Sequence, residues 1–223
     1  MTSVAGDVNA LNFMVKLPDS ELAERRGYHH GNLRGSLVEA ARRLIAERGP
    51  AGFTLSDAAK LAGVSPAAPY RHFKDRQALL REVARQGFEE LGGRLGAAAR
   101  GGGEDGFLSM GRAYLAFARE EPAFYAAMFN TGSADGPARP DDDPGLALLR
   151  EAVGRKLGTS DPETTRLAAL LVFGLTHGLA SLAAPGSVAM PEGLVDPERA
   201  LEIGVEALLR GLMPALKDRG QPV

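Results

Sequence analysis

The segment "PAAPYRHFKDR", residues 66–76, gathers Tyr70, Arg71, His72, Lys74 and Arg76 within seven positions. These side chains donate hydrogen bonds, most carry or can carry positive charge, and they suit phosphate oxygens better than bond-breaking chemistry. Elsewhere the reactive inventory is thin. Cysteine is absent, which excludes disulfides, iron–sulfur clusters and thiol catalysis. His29, His30, His72 and His177 are too scattered for a zinc site, no nucleophile stands beside a paired base, and no glycine-rich phosphate loop occurs. "DDD" at 141–143 falls in a run of turn formers and reads as solvated. The sequence therefore predicts no metal, no cofactor and no catalytic residue, with a helical small-molecule-processing enzyme as the remote alternative.

The formal charge of −2 hides a division. Residues 25–100 carry 14 Lys/Arg against seven Asp/Glu, whereas residues 101–223 carry 11 against 17. A basic segment joined to an acidic one implies that the first meets a polyanion while the second does other work. Residues 1–27 lack the basic start and long apolar run of a secretory signal, and they read as a mobile leader. Leu167 to Pro191 holds no charge and is long enough to span a bilayer, but it is rich in Ala and Gly, contains Thr176, His177 and Ser181, and has no basic flank. A helix buried by protein, with no membrane partner and a cytoplasmic setting, is the expectation.

Helical periodicity must position these groups. Leu33, Leu37, Ala40, Ala41, Leu44 and Ile45 form one amphipathic stripe, stopped by Gly49 and Pro50. "FTLSDA" opens a second helix, with Thr54 as cap, Asp57 answering it three residues on and Phe53 placed to staple. Ser65 is expected to cap a short third helix, and Asp75 a long fourth from about Arg76 to Arg100. Beyond the glycines at 101–103 the pattern is all-helical: a face of Phe107, Met110, Tyr114 and Phe117, a short helix from Pro122 with Phe124, Tyr125, Met128 and Phe129, then a loop of turn formers from Asn130 to Gly145. Three helices remain, at roughly 145–157, 161–184 and 197–216. The last is capped by Asp196 and carries Leu201, Val205, Leu208, Leu209, Leu212 and Leu216 on one side. The fold class is all-α, with about nine helices.

Two short helices joined by a Gly-containing turn make a helix-turn-helix, whose second helix presents its first residues to the major groove. Pro66 suits the start of that helix, because the first N–H groups have no partner there. Pro69 does not, since it deletes a bond to Ser65 and pushes Ala68 away from helical angles. The first turn is therefore expected to be loosened, or the helix to begin near Ala68, leaving Pro66, Ala67 and Ala68 as a small-residue nose. Tyr70, Arg71, His72, Lys74 and Arg76 are expected to reach phosphates, together with the N-terminus of the fourth helix. Ala67 and Ala68 offer only apolar contacts such as a thymine methyl, and Arg71 is the candidate for a guanine. "RRGYHHGNLR" adds Arg25, Arg26, Tyr28, His29, His30 and Arg34 as a basic arm that follows the backbone or enters the minor groove. Phe73 reads as core.

Residues 28–88, through "FTLSDAAKLAGVSPAAPYRHFKDRQALL", resemble the DNA-binding domain of the TetR family of one-component bacterial regulators. Ala67-Ala68-Pro69 stands where the family often has Gly-Thr-Leu, and Arg76 where it often has Lys. "REEPAFYAAMF" and "FGLTHG" resemble its WHG-type C-terminal domain, with Phe173 in place of the usual Trp. The resemblance implies a leader and arm at 1–27, a helix-turn-helix domain at 28–75, and a ligand-binding and dimerisation domain at 76–223. Its DNA-binding residues would include Arg34, Thr54 and Ser65 beside those above. It implies a homodimer joined by the last two long helices on a roughly palindromic DNA operator. It also implies a cavity for a small, largely apolar effector, with Phe107, Met110, Tyr114, Phe117, Tyr125, Met128, Phe173 and His177 as candidate lining. A repressor released by that effector is the expected function, and an activator or a ligand-independent regulator is the alternative.

Overall fold

The computed structural model describes residues 32–101, 106–129, 144–184 and 196–218. The leader, the arm residues Arg25, Arg26, Tyr28, His29 and His30, and most of the turn-rich stretch after Asn130 lie outside the described residues. Within them are eight α-helices and one 3-10 segment: α1 Leu33–Arg48, α2 Leu55–Leu61, the 3-10 segment Ala68–Arg71, α3 Arg76–Gly101, α4 Gly106–Glu120, α5 Pro122–Phe129, α6 Pro144–Leu157, α7 Pro162–Leu182 and α8 Pro197–Asp218.

The first helices start and stop where local chemistry dictates. Asn32 Oδ1 accepts from the Gly35 N–H at 3.0 Å and opens α1, and Gly49, at φ 73°, ends it. The Thr54–Asp57 capping box is complete: Asp57 N–H donates to Thr54 Oγ1 at 3.1 Å and Thr54 N–H to Asp57 Oδ2 at 2.9 Å. Gly63, at φ 72°, lets the chain reverse after α2, so that Val64 N–H reaches the Ala59 carbonyl at 3.0 Å. Leu37, Ala41, Leu44, Phe53, Ala58, Phe73, Leu79, Leu80 and Val83 close a core between α1, α2 and the start of α3.

At the two prolines the structure departs from a regular helix. Ala68 N–H donates to the Ser65 carbonyl, and the Pro69 carbonyl accepts from both His72 and Phe73 N–H at 2.9 Å. What results is one 3-10 turn starting at Ala68. The expectation that Ser65 caps the segment is corrected, because no side chain caps it and Ser65 contributes its carbonyl instead. Pro69 itself is fully buried. Its ring is a core element that fixes the turn from below while removing the donor a longer helix would need.

α3 is the structural axis. Its first half packs under α1, and its remainder packs against α4, α5 and α6. α7 packs on α4, α6 and α8. The leucine stripe of α8 faces inward, with Leu201, Val205, Leu209 and Leu216 buried in the chain's own core rather than offered to a second copy. The large exposed apolar side chains of the last two helices are instead Leu170, Leu171 and Leu182 on α7 and Ile203 on α8. α7 is long and apolar enough to cross a membrane, yet only 28% of its most apolar stretch is buried in the chain.

Candidate nucleic-acid interface and internal cavity

Hydrogen bonding sorts the basic residues of the first domain into two groups. Arg34 is fixed in a bidentate pair with the buried Glu82 of α3, at 2.9 and 2.8 Å, and lies over the Phe73 ring. Arg85 forms a second bidentate contact with the same carboxylate, at 3.0 and 2.8 Å, and Gln86 donates to it at 3.1 Å. The Arg85, Arg34 and Gln86 donors, with Arg85 foremost, hold the Glu82 carboxyl down at about 2 against the desolvation that opposes them. Arg76 donates to the Pro50 carbonyl and stacks over Phe53 at 5.7 Å, fastening the α1–α2 turn. Arg34, Arg85 and Arg76 therefore brace the fold.

Thr54 is occupied as well, since its hydroxyl donates to Asp57 Oδ2 at 2.7 Å and its proton is used within the cap. The N-terminus of α3 is capped by Asp75 as expected, and the cap changes what that terminus offers an anion. Asp75 Oδ1 accepts from Ala78 N–H at 2.7 Å, so a carboxylate sits where a phosphate was to bind. The residues left displayed are Ser65, Ala67, Tyr70, Arg71, His72 and Lys74, all exposed, with Ala68 half-buried among them. Arg71 and Lys74 have no ion-pair partner among the described residues. The 3-10 turn and the residues that follow it thus project two cations unpaired among the described residues, a phenol and an imidazole around an alanine nose.

The second domain holds a half-open cavity of about 430 Å³ between α3, α4, α6, α7 and α8, with Phe129 of α5 at its edge and the exposed Leu170 at its mouth. Of the residues singled out in the sequence, Phe107, Met110, Tyr114 and Phe173 line it. Phe117, Tyr125, Met128 and His177 do not. Phe117 is fully buried under Arg94, and Met128 packs against Gly87, where a Cβ would lie 2.8 Å from its sulfur. His177 and Tyr125 form a polar knot behind the wall. Tyr114 and Tyr125 hydroxyls lie 3.0 and 3.1 Å from His177 Nδ1, and Ser181 Oγ lies 2.9 Å from the Tyr125 hydroxyl. Burial lowers the His177 pKa and raises that of Tyr125, so both are neutral near pH 7. We assign the imidazole proton to Nε2, because Nδ1 faces two phenol hydroxyls.

Sequence reasoning missed the α3 wall. Phe88, Leu91, Gly92 and Leu95 line the cavity at helical spacing, continuing the stripe that Leu80 and Val83 begin in the first domain. The signal was the i, i+3, i+7 recurrence itself. α1 is also tied to α5, through Arg42, which donates to Glu121 at 3.0 Å and lies over the Phe124 ring at 5.4 Å.

A helix-turn-helix with displayed cations, joined by one continuous helix to a domain with an apolar cavity, defines the class of one-component regulators. The family model described as "Bacterial regulatory proteins, tetR family" matches residues 37–83, and "Tetracyclin repressor-like, C-terminal domain" matches residues 107–208. A structure of a protein with unknown function from Rhodococcus sp. RHA1 is 30% identical, covers 82% of this chain and 97% of its own, and superposes with a TM-score of 0.66. AibR, solved in complex with isovaleryl coenzyme A and operator DNA, is 17% identical over 79% of this chain and 97% of its own, at a TM-score of 0.59. The uncharacterized HTH-type transcriptional regulator YobS of Bacillus subtilis (strain 168) is 30% identical over 92 residues, 41% of this chain and 48% of that protein, so the match spans about half of its length. The chain belongs to the TetR family.

Proposed function

We propose that this chain is a dimeric, ligand-responsive repressor acting in the cytoplasm, which binds a roughly palindromic operator and is released by a small, largely apolar effector. The observation that carries this reading is the continuity of α3. Leu79, Leu80 and Val83 sit in the helix-turn-helix core, while Phe88, Leu91, Gly92 and Leu95 of the same helix line the cavity. A ligand that shifts the cavity wall tilts the element on which the recognition turn is mounted, and it acts only as far as it prefers the tilted state. Arg42, bonded to Glu121 and stacked on Phe124, carries the same displacement to α1. AibR, with its acyl-coenzyme A ligand and operator DNA, is a precedent within the fold.

The DNA contacts we assign to this chain are Tyr70, Arg71, His72 and Lys74 on phosphates or base edges, with Ser65, Ala67 and Ala68 at close approach. For the dimer, the supporting feature is the outward face of the last two helices. Leu170, Leu171 and Ile203 stand 59%, 39% and 59% exposed, and a Cβ at Gly174, Gly178 or Gly211 would meet nothing within 4 Å. That is an apolar, low-relief surface suited to a second copy of itself. Two-fold pairing sets the recognition turns about one DNA turn apart, ~34–36 Å. Footprinting on the intergenic DNA beside its own gene tests the reading: two protected half-sites, lost on adding an apolar effector, are expected, and a single half-site or no protection refutes it.

A further inference from the structure

Among the described residues, the cavity wall holds no Asp, Glu, Lys, Arg or His. Its polar side chains are two hydroxyls, and both are engaged with the protein. Thr176 Oγ1 donates to the Val172 carbonyl at 2.8 Å, and the Tyr114 hydroxyl lies 3.0 Å from His177 Nδ1. An anion carried into the apolar interior of the cavity would lose its water and find, among the described residues, neither a cation nor an uncommitted donor, which opposes its binding there. A neutral hydrocarbon meets the opposite conditions: Phe88, Leu95, Phe107, Met110, Phe173 and Leu201 surround it with apolar surface. At ~30 Å³ per atom-sized unit, a volume of about 430 Å³ holds on the order of a dozen non-hydrogen atoms.

From this wall chemistry we propose that the effector of this chain is an uncharged molecule, chiefly hydrocarbon and of decanol size, and that carboxylates and phosphate-bearing thioesters of the same chain length are excluded. The inference rests on the reading of the cavity as an effector site and names what that site takes. The sequence supplies a clean way to close the site. Gly92 lines the cavity from the middle of α3, and a Cβ built there meets nothing within 4 Å. A leucine at this position grows into open space, and in a helix interior it removes a flexible glycine. Val205, on α8 across the cavity, offers a second position for the same purpose.

The experiment measures thermal shift and DNA affinity of the full chain with decanol, decanoate and the coenzyme A thioester of decanoate at pH 7.5. Decanol is expected to raise the Tm and weaken DNA binding, with decanoate and the thioester at least about tenfold weaker. Gly92→Leu and Val205→Phe are each expected to abolish the decanol shift. Gly92→Ala, which adds one methyl group, keeps the shift and serves where a larger side chain impairs folding. If the anion or the thioester binds as tightly as decanol and the filling variants abolish it, the cavity is an effector site but its ligand is charged, and the inference falls. A decanol shift that both filling variants leave intact places the ligand elsewhere and also overturns it. If none of the compounds shifts the Tm or the DNA affinity of the parent, the uncharged-ligand inference and the effector-site reading fail together.

Discussion

Replacing Glu82 with Gln tests whether Arg34 and Arg85 hold the first domain to α3. The folded-state pKa of Glu82 is about 2 against a reference of 4.5, so ionisation is favoured in the folded chain. A depressed carboxyl contributes stability that is fully present above the unfolded pKa and is lost as pH falls through the folded one. The gap corresponds to roughly 3 kcal/mol at ~1.36 kcal/mol per pKa unit. Because the two arginines are half exposed, solvent screening reduces the expected contribution to about 2 kcal/mol. Guanidinium unfolding is confounded by its own salt, so urea is the denaturant of choice. The parent should exceed Glu82→Gln by about 2 kcal/mol near pH 7, and more than half of that difference should be gone near pH 3. Other acid-sensitive groups, including the neutral His177, are common to both chains and cancel in the comparison. A difference that stays constant from pH 7 to pH 3, or is absent throughout, refutes the bracing role.

Further outcomes follow from the same contacts. Arg71→Ala and Lys74→Ala should leave unfolding free energy within ~0.5 kcal/mol of the parent and each reduce the salt slope of DNA binding by about one, whereas Arg34→Ala should destabilise the fold; anisotropy titrations at several salt concentrations beside urea melts check this. Gly87→Ala should cost ~1–3 kcal/mol, because its Cβ would lie 2.8 Å from Met128 Sδ and 3.1 Å from Phe124 Cβ. Gly92→Ala, with open space, should instead gain ~0.5–1 kcal/mol, and the opposite order in a pair of melts contradicts the packing described. Ile203→Glu combined with Leu171→Glu should yield a folded monomer by analytical ultracentrifugation and abolish operator binding.

Much of this was legible in the sequence, for identifiable reasons. Thr54 with Asp57, Gly63, Asp75 and Asp196 with Pro197 announce helix ends through backbone chemistry that acts over three or four residues, and each terminus forms as read. The core face of α1 follows from periodicity alone, and Phe73 is buried as its residue type implies. What was not legible depended on distant partners. Arg34 and Arg76 read as phosphate ligands by type, but Glu82 lies 48 positions from the first and the Pro50 carbonyl 26 from the second, and nothing local announces either pairing. Phe117 and Phe107 share one helical face, yet only Phe107 reaches the cavity, because α3 and Arg94 cover the other. Pro69 implies a loosened first turn or a start near Ala68, and the 3-10 turn does start there, but the packing of the proline ring is not written locally. Its burial shows it to be part of the core on which the recognition turn rests.

The most direct test of the account is the distance between the two recognition turns in the dimer. With no native cysteine in the chain, Gln77→Cys at the exposed start of α3 accepts a single spin label per protomer. Double electron–electron resonance on the operator complex should give one narrow distribution on the order of one DNA turn, ~34–36 Å. Adding decanol should shift or broaden it as DNA is released. A sample with no dipolar signal, or a distribution that decanol leaves unchanged while DNA dissociates, would contradict a dimer switched through α3.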